Sequence, residues 1–336
     1  LNEVQVLCFH RNPRYAPQLK IGIMRKPPSM EYALPGGVGT NTLLDVMKTC
    51  TNDSCPGLSN SSQFSIYTRD SNCFVCGAPT RPLHRIRIKL NQVIYRIIDQ
   101  IEQKGDFNLL NPRDFPDLKR GEEDQGLQRV KAALQAFMPE LCAFVTAKND
   151  FSLFSLRPQK SLDLNTVKTQ KDPRFYAPGP KLLIKHNSII PEACYTEKAI
   201  CFTAAIYSLL FPDDKILKYL CGILNSKLMQ FYCIFGINNQ NLVTMNLNQY
   251  MIRHLPIIAP HKTRLNQDRI IELVEQILEK IADPRDLSDK QVKTDIQQLD
   301  QEIYALYGIT GIESINLIEQ SVEASLRSFS RTRGKK

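Results

Sequence analysis

The chain has 336 residues, 43% of them hydrophobic and 23% charged, which is enough for two or three domains with cores of their own. It holds no apolar run long enough to span a bilayer and no secretory signal pattern, which points to a cytoplasmic protein with no membrane partner. A formal net charge of +9 permits an anionic partner such as nucleic acid without requiring one. The sequence opens on Leu1 and not on Met, which leaves a fragment or a processed piece as open readings.

Residues Leu1 to Thr40 offer short strand candidates in Val4, Val6, Leu7 and Phe9, and again in Ile21, Ile23 and Met24. Gly36, Gly37 and Gly39 lack the Lys-Ser/Thr of a phosphate loop and the spacing of a dinucleotide fingerprint, so they read as an ordinary loop. Two close cysteine pairs follow, Cys50-Thr-Asn-Asp-Ser-Cys55 and Cys73-Phe-Val-Cys76, with Gly77 behind the second. Four soft thiolates in two close pairs suit one tetrahedral zinc, and a complete thiolate set leaves no position open for water. The site is therefore expected to be structural and the module zinc-ribbon-like. Four unpaired thiols, or two disulfides, are the competing readings. The other six cysteines (Cys8, Cys142, Cys194, Cys201, Cys221 and Cys233) stand singly among apolar residues and read as reduced core side chains.

From Arg81 to Lys104 an alternating pattern passes into a helical stripe (Val93, Ile94, Ile97, Ile98, Ile101), interleaved with basic residues. The polar stretch Asn111 to Gln125 reads as a linker and Leu127 to Phe144 as a helix. Phe151 to Leu164 gives strand material. The loop Lys168 to Pro180 (KTQKDPRFYAPGP) mixes cations, Arg174 among them, with Phe175 and Tyr176, which suits phosphate contact or simply a loop anchored by two aromatics.

Next, Leu182, Leu183 and Ile184 form a short buried-strand candidate that ends in Lys185, His186 and Asn187. A second β-rich run covers Ala199 to Leu210. Leu217, Leu220, Cys221, Leu224, Leu228, Phe231, Tyr232 and Phe235 then predict one long amphipathic helix, with Gly236 placed to stop it. The polar loop that follows contains Asn238, Asn239 and Gln240, whose amides match adenine edges. Two more helical stripes run through Ile270–Ile281 and Val292–Leu306. They are separated by Asp283-Pro284 and closed by Gly308. Thr310 and Glu313 have capping-box spacing for a third, short helix, and a frayed basic tail is expected from Arg327 to Lys336.

The words PKLLIKHNSII, ILNSKLMQFY and HLPI, in this order, resemble the C-terminal specificity domain of adenine-N6 DNA methyltransferases of restriction–modification systems, the TaqI-like class. LDQEIYALYGIT resembles the ending "LD..IY.LYG.T" of the same class. The resemblance is strongest over Pro180 to Leu306. It implies double-stranded DNA as partner, a role in restriction–modification or phage defence, and DNA contacts from the neighbourhood of Lys181, Lys185, His186, Asn187, Asn225 and Lys227. In the helix, Asn225 and Lys227 are expected to flank the apolar stripe. The catalytic motif of that class, (Asn/Asp)-Pro-Pro-(Tyr/Phe), is missing. Lys26-Pro27-Pro28-Ser29 has only the prolines. The expected arrangement is a recognition part whose catalytic domain, with its S-adenosylmethionine, lies outside this chain.

Asp117-Leu118-Lys119 and Asp213-Asp214-Lys215 are fragments of a magnesium-nuclease pattern and leave a divergent methyltransferase or nuclease as one alternative. A zinc-stabilised interaction scaffold is another. The fold class expected is α+β: an N-terminal region 1–110 with the cysteine module at about 45–80, a linker and helix 111–150, a mixed α/β target-recognition domain 151–260, and C-terminal helices with a basic tail 261–336.

Overall fold

A computed structural model describes residues 3–6, 22–25, 48–52, 55, 71–73, 76–82, 92–106, 110, 113–186, 188–237, 247–260, 264–281, 287 and 289–333. The chain forms two compact units, Leu1–Arg96 and Ile97–Lys336. Helices and sheets are both present, as expected of an α+β chain.

In the first unit β1 (Glu3–Val6) pairs antiparallel with β2 (Gly22–Arg25), where Val4, Val6, Ile23 and Met24 predict strands. Leu7, Phe9, Ile21 and the glycines at 36, 37 and 39 lie outside the described residues, as do 26–29. β3 (Lys48–Cys50) pairs antiparallel with β4 (Thr80–Pro82), Cys50 opposite Thr80.

The second unit contains two four-stranded sheets. The first has the order β12 (Ala193–Thr196), β11 (Lys181–Lys185), β14 (Ile206–Leu210), β5 (Leu118–Arg120), all antiparallel. The second has the order β13 (Ile200–Phe202), β7 (Cys142–Val145), β10 (Lys160–Leu162), β6 (Gln135–Ala136), with β13 and β7 parallel. The two sheets share a core: Leu183, Cys194 and Ile206 of the first pack with Phe144, Leu162 and Phe202 of the second. Each such side chain, fully buried, contributes roughly 1.5–3 kcal/mol. That explains why β11 is apolar on both faces: its inner strand position is covered on each side.

Helix α1 (Gln92–Lys104) follows the predicted stripe, with Ile97, Ile98 and Ile101 buried. α2 (Asp124–Ala132) is shorter than the helix expected to run to Phe144. Residues 135–140 are exposed, and the chain re-enters the core as strand β7, which gains its pairing from β10 and β13, far away in sequence. The stretch expected to be a linker instead contributes strand β5 to a sheet edge, for the same reason.

The long helix is also divided. α3 (Asp214–Asn225) and α4 (Lys227–Phe231), which runs on as a π-helical turn Tyr232–Ile237, meet at 57°. Ser226 between them is extended, with φ −66° and ψ 150°. Gly236 stands inside the π-helical turn, one residue before its last described residue. A Cβ there would lie 2.7 Å from the Tyr232 ring, so glycine serves close packing inside the turn. After α5 (Gln249–Arg253), helices α6 (Arg264–Lys280) and α7 (Lys290–Leu306) pack against each other, and α6 covers α3. Gly308, at φ +72°, ends α7 in the left-handed conformation that favours glycine. The last helix, α8 (Ile312–Arg333), has 22 residues, so the tail expected to fray from Arg327 is helical as far as Arg333. No single described helix is long and apolar enough to cross a membrane.

Candidate functional site

The four clustered cysteines converge. Cys50 and Cys76 have sulfurs 3.5 Å apart, Cys55 and Cys73 3.8 Å apart, and all four lie within 4.8 Å of one another. Four sulfurs on a tetrahedron with zinc–sulfur bonds of ~2.3 Å are about 3.8 Å apart, so the donor set fits such an ion. The local backbone explains the convergence. Gly77, at φ +75°, turns the chain, and Cys73 both accepts from Gly77 N–H and donates its own N–H to Ala78 O. A backbone hydrogen bond from Ala78 pulls the Cys76 thiol down to about 7, while burial pushes Cys50 up to about 12. The core described around them is made of Cys50, Cys55 and Cys73 with Cys76 and Ala78 against it, which is little apolar surface to hold a module together.

In the second unit the expected contact residues separate into three places. Lys181 and Lys185 mark opposite ends of β11, about 13 Å apart at ~3.3 Å per residue. Lys181 is 1% exposed, and its ammonium donates to the carbonyls of Ala177, Gly179 and Lys198 at 2.6–3.0 Å. Burial lowers it to about 8. This side chain faces inward and closes the turn that leads into β11, so it does not present its charge at the surface.

At the other end Lys185 holds both oxygens of Glu192 at 2.9 Å, and Ser188 donates to the same carboxylate. His186 Nδ1 lies 2.9 Å from Leu247 O, and its ring meets Tyr207 edge-on. A carbonyl only accepts, so Nδ1 carries a proton toward Leu247 O and Nε2 is the ring nitrogen left for another partner. Asn187, Asn238, Asn239 and Gln240 lie outside the described residues.

The third place is the break between α3 and α4. Asn225 is 3% exposed, so it lies within the packed interior and not beside the apolar stripe. Its side chain accepts from Ala193 N–H and donates to Ala193 O, both at 2.8 Å. Ala193 belongs to β12, the edge strand; its carbonyl also accepts from Phe154 N–H at 2.9 Å, whereas its N–H has Asn225 as its partner. Asn225 thus acts as one more residue of sheet. Ser226 caps α4 by accepting from Met229 N–H. Lys227 N–H is bound by Asp300 at 2.7 Å, while its side chain is partly exposed. Asp300 belongs to LDQEIYALYGIT, so this stretch and ILNSKLMQFY, distant in sequence, are joined here. Tyr307 of that word donates to Pro256 O of HLPI at 2.7 Å.

Arg174, 59% exposed, pairs with Asp117 and Asp172, and Phe175 and Tyr176 beside it are buried anchors of the loop. The nuclease-like fragments are spent on structure: Asp117 on Arg174, Asp213 as N-cap of α3, and Asp214 on Lys218. Sequence reading passed over Glu122, which is fully buried beneath the Lys168–Tyr176 loop. It stood in the polar stretch read as a linker, where nothing in the local pattern marks it.

Among solved structures the chain is similar to the Type IIL restriction-modification enzyme MmeI in complex with DNA (10% identity, TM-score 0.37, 80% of this chain and 40% of that one). It is also similar to the type IIG restriction endonuclease BpuSI (12%, 0.42, 71% and 37%). A third is the HsdS subunit from Thermoanaerobacter tengcongensis (14%, 0.29, 65% and 51%). The chain thus spans about half or less of the length of these structures. No match is found among curated proteins. The model of one family, the TaqI-like C-terminal specificity domain, matches residues 150–257, a span that takes in β8 (Phe151–Ser152) through α5, the PKLLIKH, NSK and HLPI words, and the Asn225–Ala193 junction. Residues 150–257 therefore carry a TaqI-like C-terminal specificity domain.

Proposed function

We propose that this chain is the DNA sequence-recognition part of a restriction–modification enzyme that methylates adenine N6, with methyl transfer supplied by a catalytic domain or subunit outside it. The match of residues 150–257 to a specificity domain carries this reading. Cations would position the duplex through its phosphates, and a few polar groups would read base edges. The surface that favours this role is the end of β11. There His186 has its second ring nitrogen left for a ligand, and among the described residues Lys185 is tied to the Glu192 carboxylate, for which a phosphate would be the competing anion. Asn187 and the segment 238–240 follow these elements in sequence and complete the proposed reading set. Arg174 and Lys227 supply further positive charge. Lys181 and Asn225 are left to architecture, since their polar atoms are used inside the domain.

The test is selection from random duplex DNA at physiological salt, with the bound fraction sequenced. Enrichment of one short sequence is expected. Uniform weak binding that persists after a methyltransferase core is added would end the recognition reading. For the placement, Lys185→Ala combined with Lys227→Ala is expected to weaken binding and to lower the slope of log K against log[salt] by about 1 to 2.

The cysteine module is proposed to hold one structural zinc through Cys50, Cys55, Cys73 and Cys76. All four donors are thiolates, so the ion would contribute folding energy and no bound water for chemistry. Metal analysis of freshly reduced protein is expected to give one zinc per chain, and well under one would remove the idea. Because thiolates must stay deprotonated to bind, release on acidification is expected, with the module losing its fold as the metal leaves.

A further inference from the structure

Glu122 has a feature that its position in a polar stretch hides. It is 0% exposed, yet it is a carboxylate, and a buried charge is costly unless its oxygens are met by donors. Here they are met fully. Gln170 N–H and Lys171 N–H donate to it at 2.9–3.1 Å, and Tyr176 O–H donates at 2.9 Å. Two consecutive amides of a loop thus turn inward to a single internal anion. The backbone of Glu122 is fixed as well, donating to Phe202 O and accepting from Ala204 N–H. Glycines on either side make room: a Cβ on Gly121 would lie 2.2 Å from Phe202 O, and one on Gly126 2.0 Å from the Glu122 carboxylate. Arg129 adds an outer clamp by donating to Lys168 O at 2.9 Å.

With its amides turned inward, the loop carries its cations outward. Between 168 and 174 it holds Lys168, Lys171 and Arg174 against Asp172, three positive charges to one negative, hence two net positive. Glu123 pairs with Lys171, and Asp117 and Asp172 pair with Arg174, all with side chains 27–59% exposed. Surface pairs of this kind are weak and leave the cations available to phosphate.

We propose that Glu122 is the positioning residue of a loop, residues 168–174, that contacts the phosphate backbone of DNA. The proposal rests on the DNA-recognition reading above. A loop without sheet pairing of its own gains a fixed shape from the buried anion, so its cations meet the duplex without being ordered at the moment of binding.

The experiment uses the full chain and a random-sequence duplex. Glu122→Gln keeps the volume but sets an amide donor against amide donors. Expected are at least about tenfold faster hydrogen exchange at the Gln170 and Lys171 amides and a slope of log K against log[salt] smaller by about 1 to 2. Lys168→Ala with Lys171→Ala is expected to lower the slope by about 2 while the amide protection stays. Unchanged protection in Glu122→Gln would overturn the positioning role. Faster exchange with an unchanged slope would overturn the DNA contact, as would an unchanged slope in the double-lysine variant. The slope is the readout that a merely structural Glu122 would not move. Should Glu122→Gln fail to fold, Tyr176→Phe, which removes one donor to the same carboxylate, takes its place in both readouts, and the double-lysine variant decides the DNA contact. A wild-type chain with no DNA affinity would instead sink the recognition reading, and this proposal with it.

Discussion

Two polar stretches of the specificity domain, Asn225-Ser226-Lys227 and the loop from Lys168 to Arg174, use their chemistry in opposite directions. The first turns it inward. Asn225 completes a sheet edge, Ser226 caps a helix, and the Lys227 amide is held by Asp300. The second turns its amides inward onto Glu122 and its cations outward. Asn225 and Ser226 of ILNSKLMQFY are thus occupied by architecture, whereas the cations of the 168–174 loop stand outside the words that carry the resemblance. Loops held by a rigid scaffold are where binding side chains concentrate, and the two stretches divide in that way.

The largest effect that would break this comparison is expected at Asn225. Asn225→Ala leaves the buried N–H of Ala193 without a partner and its carbonyl with Phe154 N–H alone, at a cost of about 2–3 kcal/mol. Urea unfolding should show the loss, with the DNA affinity of the remaining folded protein unchanged. A loss below ~0.5 kcal/mol would mean that the edge of β12 does not depend on this amide.

The next concerns Asp300. Burial pushes its carboxyl up to about 7, against about 3.9 in an unfolded chain. The folded state therefore keeps a proton that the unfolded state has already released between those values. The contribution of Asp300 to stability is greatest below about pH 4, falls as pH rises toward 7, and is flat above. Asp300→Asn still accepts from Lys227 N–H and is expected to remove the fall, ending more stable than wild type at pH 8 by about 1–3 kcal/mol. Equal pH dependence of unfolding in the two proteins would show that Asp300 is charged throughout and that the junction is more open than drawn.

The smallest effect sharpens the outward side. Arg174→Ala removes two solvent-accessible ion pairs and the guanidinium over the Phe175 ring, and should change stability by less than ~1 kcal/mol, while lowering the salt slope of DNA binding by about 1. A stability loss above ~1 kcal/mol would move Arg174 to the architectural group.

Much of the scaffold was legible in the sequence. The apolar run Leu182–Ile184, the stripe of Ile97, Ile98 and Ile101, and the stripes of α6 and α7 announce themselves because strand and helix periods are local properties of the chain. So do the cysteine pairs, since ligand spacing is itself a local constraint. What the sequence could not show were elements defined by distant partners. β7 lies where a helix was expected because Leu162 and Phe202 supply its neighbours. β5 lies where a linker was expected because Leu209 stands opposite Leu118. The break at Ser226 interrupts an unbroken apolar stripe, because Asp300, 73 residues further on, holds the amide of Lys227. Composition and spacing determined by themselves the class, the helical tail, the clustered thiols and the family words. Only the tertiary structure decided which polar side chains those words spend inside, because hydrogen-bond partners such as Ala193 for Asn225, or Gln170 and Tyr176 for Glu122, are brought together by folding and leave no period in the chain.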